Sequence, residues 1–371
     1  MTSTANKTLD GHKLLVLLGV TGPPKSLLGT VFRLEWIAEL KELFPGLEIV
    51  TVRDATWNTP SFQKKFPDEE WKDVTILVTG SALPTADIAP KLEYVQLQSA
   101  GANHVLENPL IRETNVALCT ASGVHGPQIA EWVVTTFLAF QHQITRYVDI
   151  QRQSRWQKLV EPVNDAVQQR VGILGYGAVG RQVARVLNAL GMDVYVCTLH
   201  PRLSPESRRD ETYTPAAGLG DPEGILPSKW FSAGDTEGLH EFLSSGLDLL
   251  VITLPLTRNT RGLISRNELA LLAKQKAFVS NVGRGEIIKT DDLIDALEDG
   301  VIRGAALDVT DPEPLPDGHR LWSTKNLFIS PHVSGDSSAY AQRIYEVLKY
   351  NLIRLSEGRE LTNKVNRNEG Y

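Results

Sequence analysis

Two cysteines in 371 residues, Cys119 and Cys197, are too few for a disulfide framework. Both stand in apolar stretches and read as buried free thiols, which suits a reducing compartment and makes a cytoplasmic location the expectation. No apolar run is long enough to span a bilayer. The N-terminal run Leu14–Val20 falls well short of the roughly 20 residues that a membrane helix needs. It has no strong basic leader, and Thr21-Gly22-Pro23-Pro24 follows it as a turn, so it reads as a first β-strand rather than a signal peptide. Basic residues are not in excess: 38 Lys and Arg against 44 Asp and Glu leave a net charge of −6, which argues against a nucleic-acid binder. No Cys/His cluster has metal-ligand spacing and no Walker-type lysine loop is present, so no metal site is expected. What remains is a chain with 42% hydrophobic and 22% charged residues, ordinary globular values that supply a sizeable core. At roughly 150 residues per domain its length suggests two to three domains.

Short apolar runs alternate with amphipathic segments, the pattern of βαβ units. In the first part the strand-like runs are Lys13–Val20, Leu47–Val52, Val74–Val78, Tyr94–Leu97 and Val116–Cys119. Between the first two, Val31–Leu43 carries Leu34, Ile37, Leu40 and Leu43 at helical spacing. A second series opens with a long apolar helix at Gln128–Phe140 and a more polar bridge, Gln141–Gln169. Strand Arg170–Leu174, helix Val179–Leu190 and strand Asp193–Cys197 follow. After an interruption come strands Leu249–Thr253, Ala277–Asn281, Ala305–Val309 and Leu327–Ile329, with helices near Arg266–Leu272 and Asp291–Leu297. Runs such as Leu249-Leu250-Val251-Ile252 suit a parallel sheet buried on both faces. The interruption, Pro201–Gly234, holds five prolines and several glycines, a density that excludes a long helix or a central strand and reads as a surface excursion.

Gly175-Tyr176-Gly177-Ala178-Val179-Gly180 is a GxGxxG between an apolar strand and a helix, the context that turns a weak motif into a dinucleotide fingerprint. Gly175 allows the tight turn, Gly177 lets a pyrophosphate approach the backbone, and Gly180 lets the helix pack close to the sheet. The free N–H groups of the helix start then hold the phosphates. An NAD site places a carboxylate at the end of the next strand. Here that strand runs into Thr198-Leu199-His200-Pro201-Arg202, where Thr198 does not repel a 2′-phosphate and His200 and Arg202 attract one. This favours NADP(H), with NAD(H) left open.

Three later segments place polar residues where strands end: Asn281-Val282-Gly283-Arg284-Gly285, Asp308 to Pro316, and Ser330-Pro331-His332-Val333-Ser334-Gly335. Ligands of open parallel sheets bind at the carboxyl ends of strands, so Arg284, Glu313 and His332 are expected to share one crevice. With the glycine fingerprint, the Leu254-Pro255-Leu256-Thr257 loop, Gln98-Ser99-Ala100-Gly101 and Ser122-Gly123-Val124-His125…Ala130-Glu131, these segments resemble the D-isomer-specific 2-hydroxyacid dehydrogenase family in order and spacing. The resemblance runs from about residue 74 to about residue 350. The wording Asp308-Val309-Thr310…Pro312-Glu313-Pro314 is similar to the glyoxylate and hydroxypyruvate reductase branch.

The resemblance implies two Rossmann-like or flavodoxin-like α/β domains with parallel sheets and a cleft between them. A substrate domain would take residues 1–124 plus 333–371, and a dinucleotide domain 125–332. The amphipathic segment Ala341–Leu352 would return the chain to the first domain. It implies an oxidoreductase that reduces a small 2-keto acid to the D-2-hydroxy acid with NAD(P)H. Arg284 would bind the carboxylate and polarise the carbonyl. His332 would be the general acid in reduction, and Glu313 would pair with it and raise its pKa. Ser81 and the backbone N–H groups of Ala100 and Gly101 would hold the substrate, and Leu254, Pro255, Thr260, Val282, Gly283 and Asp308 would contact the cofactor. A homodimer would form around Gln141–Gln169. The alternative reading is a dinucleotide-sensing, co-repressor-like scaffold with little turnover; formate oxidation is disfavoured by Glu313. The chain departs from the family at Thr198, where an acidic residue is usual, and in the length of Pro201–Gly234.

Overall fold

The structure is a computed structural model that describes residues 6–19, 33–54, 67–210, 212–213, 218–367 and 369–370. The turn expected at Thr21-Gly22-Pro23-Pro24, the start of the helix expected from Val31, and Pro215 lie outside them. The chain divides into two compact units, one of residues 1–125, 212–217 and 336–371, the other of residues 126–211 and 218–335.

In the first unit, β1 (Lys13–Gly19), β2 (Glu48–Asp54), β3 (Ile76–Thr79), β4 (Tyr94–Leu97) and β5 (Ala117–Cys119) form a parallel sheet in the order β2-β1-β3-β4-β5. This is the flavodoxin-like doubly wound order. Successive side chains of a strand point to opposite faces, and here both faces are covered. Leu14 and Val16 pack with Trp36 and Leu40 of helix Leu34–Leu43 and with Leu348 and Leu352 of helix Tyr340–Ser356. Leu15 and Leu17 face Trp71, Leu110 and Ile111. Trp36 and Tyr345 stack at 4.8 Å, which docks the C-terminal helix on this sheet. The chain then runs antiparallel along β5: Lys364 bridges Cys119, the Val365 N–H donates to the Leu118 carbonyl at 2.8 Å, and the Arg367 guanidinium donates to the carbonyls of Thr114 and Val116. The sheet edge is thereby closed.

In the second unit, β6 (Arg170–Leu174), β7 (Asp193–Thr198), β8 (Lys229–Ser232), β9 (Leu249–Ile252), β10 (Phe278–Asn281), β11 (Gly304–Leu307) and β12 (Leu327–Ile329) pair in parallel in the order β12-β11-β10-β9-β6-β7-β8. This is the Rossmann order with one strand added, and its switch point lies between β6 and β9. Helices Gly126–Gln141 and Ala178–Ala189 cover the face of Val171, Ile173, Val194 and Val251. Helices Thr236–Leu243, Arg266–Leu271 and Thr290–Glu298 cover the face of Leu174, Leu250, Ile252 and Val279.

Three features depart from the sequence reading. The excursion Pro201–Gly234 contains β8, which pairs with β7 alone and so occupies an edge, the place where neighbouring prolines are tolerated. The bridge after Gln141 contains a helix, Ile144–Arg152, none of whose side chains is buried. Thr212 and Tyr213, expected in the dinucleotide domain, group with the first unit. Tyr213 packs beside Ala121, Val124 and Val347, its ring 5.4 Å from that of Tyr350. A Cβ on Gly123, whose φ is +98°, would lie 2.3 Å from the Tyr213 carbonyl oxygen, so position 123 requires glycine. Among the described residues, no helix is long and apolar enough to cross a membrane, and no group of three His, Cys, Asp or Glu is placed to hold a metal ion.

Candidate active site

The glycine turn sits at the switch point of the second sheet. Gly175 follows β6 with a φ of +100°, and a Cβ there would lie 2.9 Å from Thr253 Oγ1. A Cβ on Gly180 would lie 2.3 Å from the Gly175 carbonyl oxygen, so the helix seats on the turn only without one. Gly177, the N-cap of helix Ala178–Ala189, faces open space: a Cβ there would meet nothing within 4 Å. The first-turn N–H groups, Ala178 and Val179 among them, have no intrahelical acceptor and suit an anion. An open cradle beside a helix start fits a dinucleotide pyrophosphate. The Tyr176 side chain does not share in it. It is buried, edge-on to Trp230, and its hydroxyl donates to Asp221 Oδ2 at 2.7 Å. Burial and that bond push the phenol pKa far up, and only the Tyr176 backbone faces the turn.

The excursion braces this turn from outside. Arg181, 6% exposed, pairs with Asp210 at 3.3 Å and donates to the carbonyls of Asp221 and Arg208. Gln182 Oε1 accepts from the Gly220 N–H at 2.7 Å. At the end of β7, the Thr198 hydroxyl donates to the His200 carbonyl at 2.8 Å, while His200 and Arg202 are exposed. One Arg202 amine donates to the Ser207 carbonyl at 2.7 Å. Thr198 to Arg202, the residues at this strand end, include no carboxylate.

The loop after β10 is shaped by its glycines. A Cβ on Gly283 would lie 2.7 Å from the Leu254 carbonyl oxygen, and one on Gly285 would lie 1.9 Å from that of Thr310. Arg284 between them therefore stands where the chains leaving β9, β10 and β11 meet. The fully buried Asn281 brackets it: its Nδ2 donates to the Arg284 carbonyl at 2.9 Å and its Oδ1 accepts from the Gly283 N–H at 3.1 Å. Burial lowers the Arg284 pKa and the charges of Glu313 and Glu286 raise it. The guanidinium stays charged throughout. The Thr260 hydroxyl donates to the Pro255 carbonyl at 2.7 Å and accepts from the Thr257 N–H at 2.7 Å. It braces the Leu254–Thr257 loop from within. Val282 is buried and Pro255 and Leu254 are half-buried.

His332 occupies the loop after β12 with a φ of +55°. Its Nδ1 lies 2.7 Å from Glu313 Oε1, with both side chains partly open to solvent. Asp308, implied as a cofactor contact, is 2% exposed and its carboxylate is turned to this loop. Its carboxylate accepts from Ser330 Oγ at 2.6 Å, the Val333 N–H at 2.9 Å, the Ser334 N–H at 3.0 Å and Ser334 Oγ at 2.5 Å. With both oxygens taken, it pins the residues on either side of His332. Asn281, Ser330 and Ser334 escaped the sequence reading. Their only sequence signal was adjacency to the two candidate catalytic loops.

In the first unit, Ser81 follows β3, and Ala100 and Gly101 follow β4. Neither the Ala100 nor the Gly101 N–H donates to a backbone carbonyl or side chain among the described residues. Ser99 Oγ donates to the Gly101 carbonyl at 2.8 Å. Two adjacent unused amides at a strand end make a receptacle for an anionic oxygen.

A doubly wound sheet with a dinucleotide turn at its switch point, and an acid–base pair beside a fixed arginine at its strand ends, defines a nicotinamide-dependent dehydrogenase. Residues 134–218 and 231–334 match the family D-isomer specific 2-hydroxyacid dehydrogenase, NAD binding domain. The chain belongs to the D-isomer-specific 2-hydroxyacid dehydrogenases, and the match breaks only inside the excursion. It is 28% identical over 344 residues to glyoxylate/hydroxypyruvate reductase A of Klebsiella pneumoniae strain 342, covering 91% of this chain and 96% of that protein. The crystal structure of an NADPH-dependent glyoxylate/hydroxypyruvate reductase from Sinorhizobium meliloti, in complex with NADP and sulfate, superposes with a TM-score of 0.71 at 26% identity, covering 97% of this chain and all of that one. A family member from Xanthobacter autotrophicus Py2, in complex with NADPH and MES, gives a TM-score of 0.71 at 26% identity over 96% of this chain and all of its own.

Proposed function

We propose that the chain reduces a small 2-keto acid of the glyoxylate or hydroxypyruvate kind to the D-2-hydroxy acid, with NADPH. The carrying observation is that Glu313 serves two groups at once: it holds His332 Nδ1 at 2.7 Å and its charge acts on Arg284. With Nδ1–H committed to the carboxylate, Nε2 is the nitrogen left to pass a proton to the substrate. Arg284 binds the keto acid through its fork of donors and draws electron density from the carbonyl oxygen. Gly175 to Gly180, with Leu254, Pro255 and Gly283, hold the dinucleotide, which when bound supplies the hydride to the carbonyl carbon. His332 protonates the oxygen and is reprotonated from solvent. Ser81, Ala100 and Gly101 are assigned as ligands of the substrate carboxylate. In this reading the first unit binds substrate and the second binds the dinucleotide.

NADPH preference rests on Thr198 and the exposed Arg202, in place of a carboxylate at the end of β7. The relatives crystallised with NADP or NADPH support it. A homodimer is proposed through the exposed apolar residues Tyr147, Val148, Trp156, Val160 and Val167, which lie in the stretch where a second copy would cover them. A cytoplasmic location is proposed on the two buried, unpaired thiols. The reductases among the relatives lend no support to the nucleotide-sensing scaffold.

The test is a panel of 2-keto acids with NADPH and with NADH, followed at the nicotinamide absorbance, with chiral analysis of the product. NADPH oxidation by glyoxylate or hydroxypyruvate is expected. No oxidation by any 2-keto acid would overturn the reading. Arg202→Ala should raise KM for NADPH more than for NADH, and equal effects reject the NADP assignment.

A further inference from the structure

Tyr340 opens the C-terminal helix Tyr340–Ser356, well beyond the residues that carry the chemistry. Its hydroxyl donates to the Gln98 carbonyl at 2.6 Å, and its ring lies 4.9 Å from that of His125, tilted by 48°. Gln98 is the residue that leads from β4 into Ser99-Ala100-Gly101. It is 7% exposed and fixed at three points: its N–H donates to the Thr79 carbonyl at 2.9 Å, its side-chain amide donates to the Leu17 carbonyl at 3.0 Å, and its own carbonyl accepts from Tyr340. The peptide joining Gln98 to Ser99 is thereby held against rotation. The next carbonyl, Ser99, accepts from the Ala121 N–H at 2.9 Å, and Ser99 Oγ holds the Gly101 carbonyl. The carbonyls of Gln98, Ser99 and Gly101 are thus held, while the amides of Ala100 and Gly101 make no hydrogen bond among the described residues.

We propose that Tyr340 is a positioning residue for substrate binding: its hydroxyl sets the plane of the Gln98–Ser99 peptide, and so the aim of the Ala100 and Gly101 N–H groups at the carboxylate of the 2-keto acid. The inference rests on the assignment of those amides as substrate ligands and deepens it, because it ties carboxylate affinity to a hydroxyl that is already committed to the Gln98 carbonyl. Burial pushes the Tyr340 phenol up to about 12, so the hydroxyl remains a donor across the working range of the enzyme. The dinucleotide turn and the Arg284, Glu313 and His332 loops belong to the other unit. Loss of the Tyr340 hydroxyl therefore acts on substrate binding and leaves cofactor binding and the chemical step in place.

Tyr340→Phe removes one oxygen and leaves the ring. In full-length enzyme saturated with NADPH, KM for glyoxylate or hydroxypyruvate should rise about tenfold, the effect of losing one hydrogen bond from a misaimed amide to a charged carboxylate. Neither kcat nor the Kd of NADPH should change, and the protein should still unfold in one cooperative transition, its thermal midpoint lowered by only a few degrees because the Gln98 carbonyl loses a partner. An unchanged KM overturns the proposal. So does a parallel loss of kcat, NADPH affinity and folding, which would make Tyr340 a core residue. Wild-type turnover in the same panel separates the two failures. If the wild-type enzyme reduces no keto acid, the functional reading falls. If it does and Tyr340→Phe matches it, only this inference falls.

Discussion

The loops after β10 and β12 each present one functional side chain, and each is made rigid by opposite means. The Arg284 loop is held by what its neighbours lack. Gly283 and Gly285 have no Cβ, so the carbonyls of Leu254 and Thr310 move in and leave the backbone no room to shift. The His332 loop is held by what a distant residue has, the buried carboxylate of Asp308, which collects two hydroxyls and two amides around the histidine. Steric closure is written in adjacent residues. A carboxylate staple links positions 22 and 26 residues apart and is seen only once the strands are in place.

Removing one of the two functional side chains sets the scale. Arg284→Ala should lower kcat/KM about 10³-fold, since a single pre-placed donor on a developing oxyanion is worth that much. NADPH binding should persist by fluorescence titration. Asp308→Ala removes the staple but leaves His332 and Glu313 intact. It should lower kcat about 10²-fold through misplacement of the imidazole, with the Kd of NADPH unchanged. A selective loss of NADPH affinity would return Asp308 to the cofactor contacts. Gly285→Ala attacks the steric device: a Cβ 1.9 Å from a backbone oxygen forces the loop apart and should cost about 1–3 kcal/mol in chemical denaturation, with or without cofactor. Gly177→Ala, where a Cβ meets only space, should leave stability unchanged and weaken NADPH alone. The smallest effect concerns the thiols. Burial raises Cys119 and Cys197 from 9.0 to about 12, so neither should react with a thiol reagent in the native protein at pH 8, and both should react on unfolding. Because the unfolded thiols ionise first, the stability they lend is present below pH 9 and lost as pH rises toward 12.

Periodicity and glycine spacing carried most of the architecture. Tyr94–Leu97, Arg170–Leu174 and Leu327–Ile329 are strands as read, and the others differ by a few residues at their ends. The glycine turn was legible because each glycine answers a local steric demand. Arg284, Glu313 and His332 were legible as residue types at strand ends, and the His332–Glu313 bond joins two of them. The strand Lys229–Ser232 and the helix Thr236–Leu243 were not seen, because the prolines and glycines around the strand mask a short edge element. The inward tasks of Asp308, Thr260 and the Tyr176 side chain were illegible for another reason. Which way a polar side chain turns depends on partners that sequence distance hides. Tyr340, which reaches Gln98 across 242 positions, is another such case.

The strand order of the first unit also has a consequence for synthesis. Its sheet needs helix Tyr340–Ser356 for one face and residues 364–367 for its β5 edge. Residues 126–211 and 218–335 contain every strand of the second sheet. On the ribosome the second unit can therefore complete its sheet while the first, whose strands are made earlier, waits with an open edge and an apolar face only partly covered by helix Leu34–Leu43 until residues 340–367 emerge. The sheet whose strands are translated earlier is the one completed later, and a nascent chain stalled after residue 335 would expose the sheet of the first unit and not that of the second.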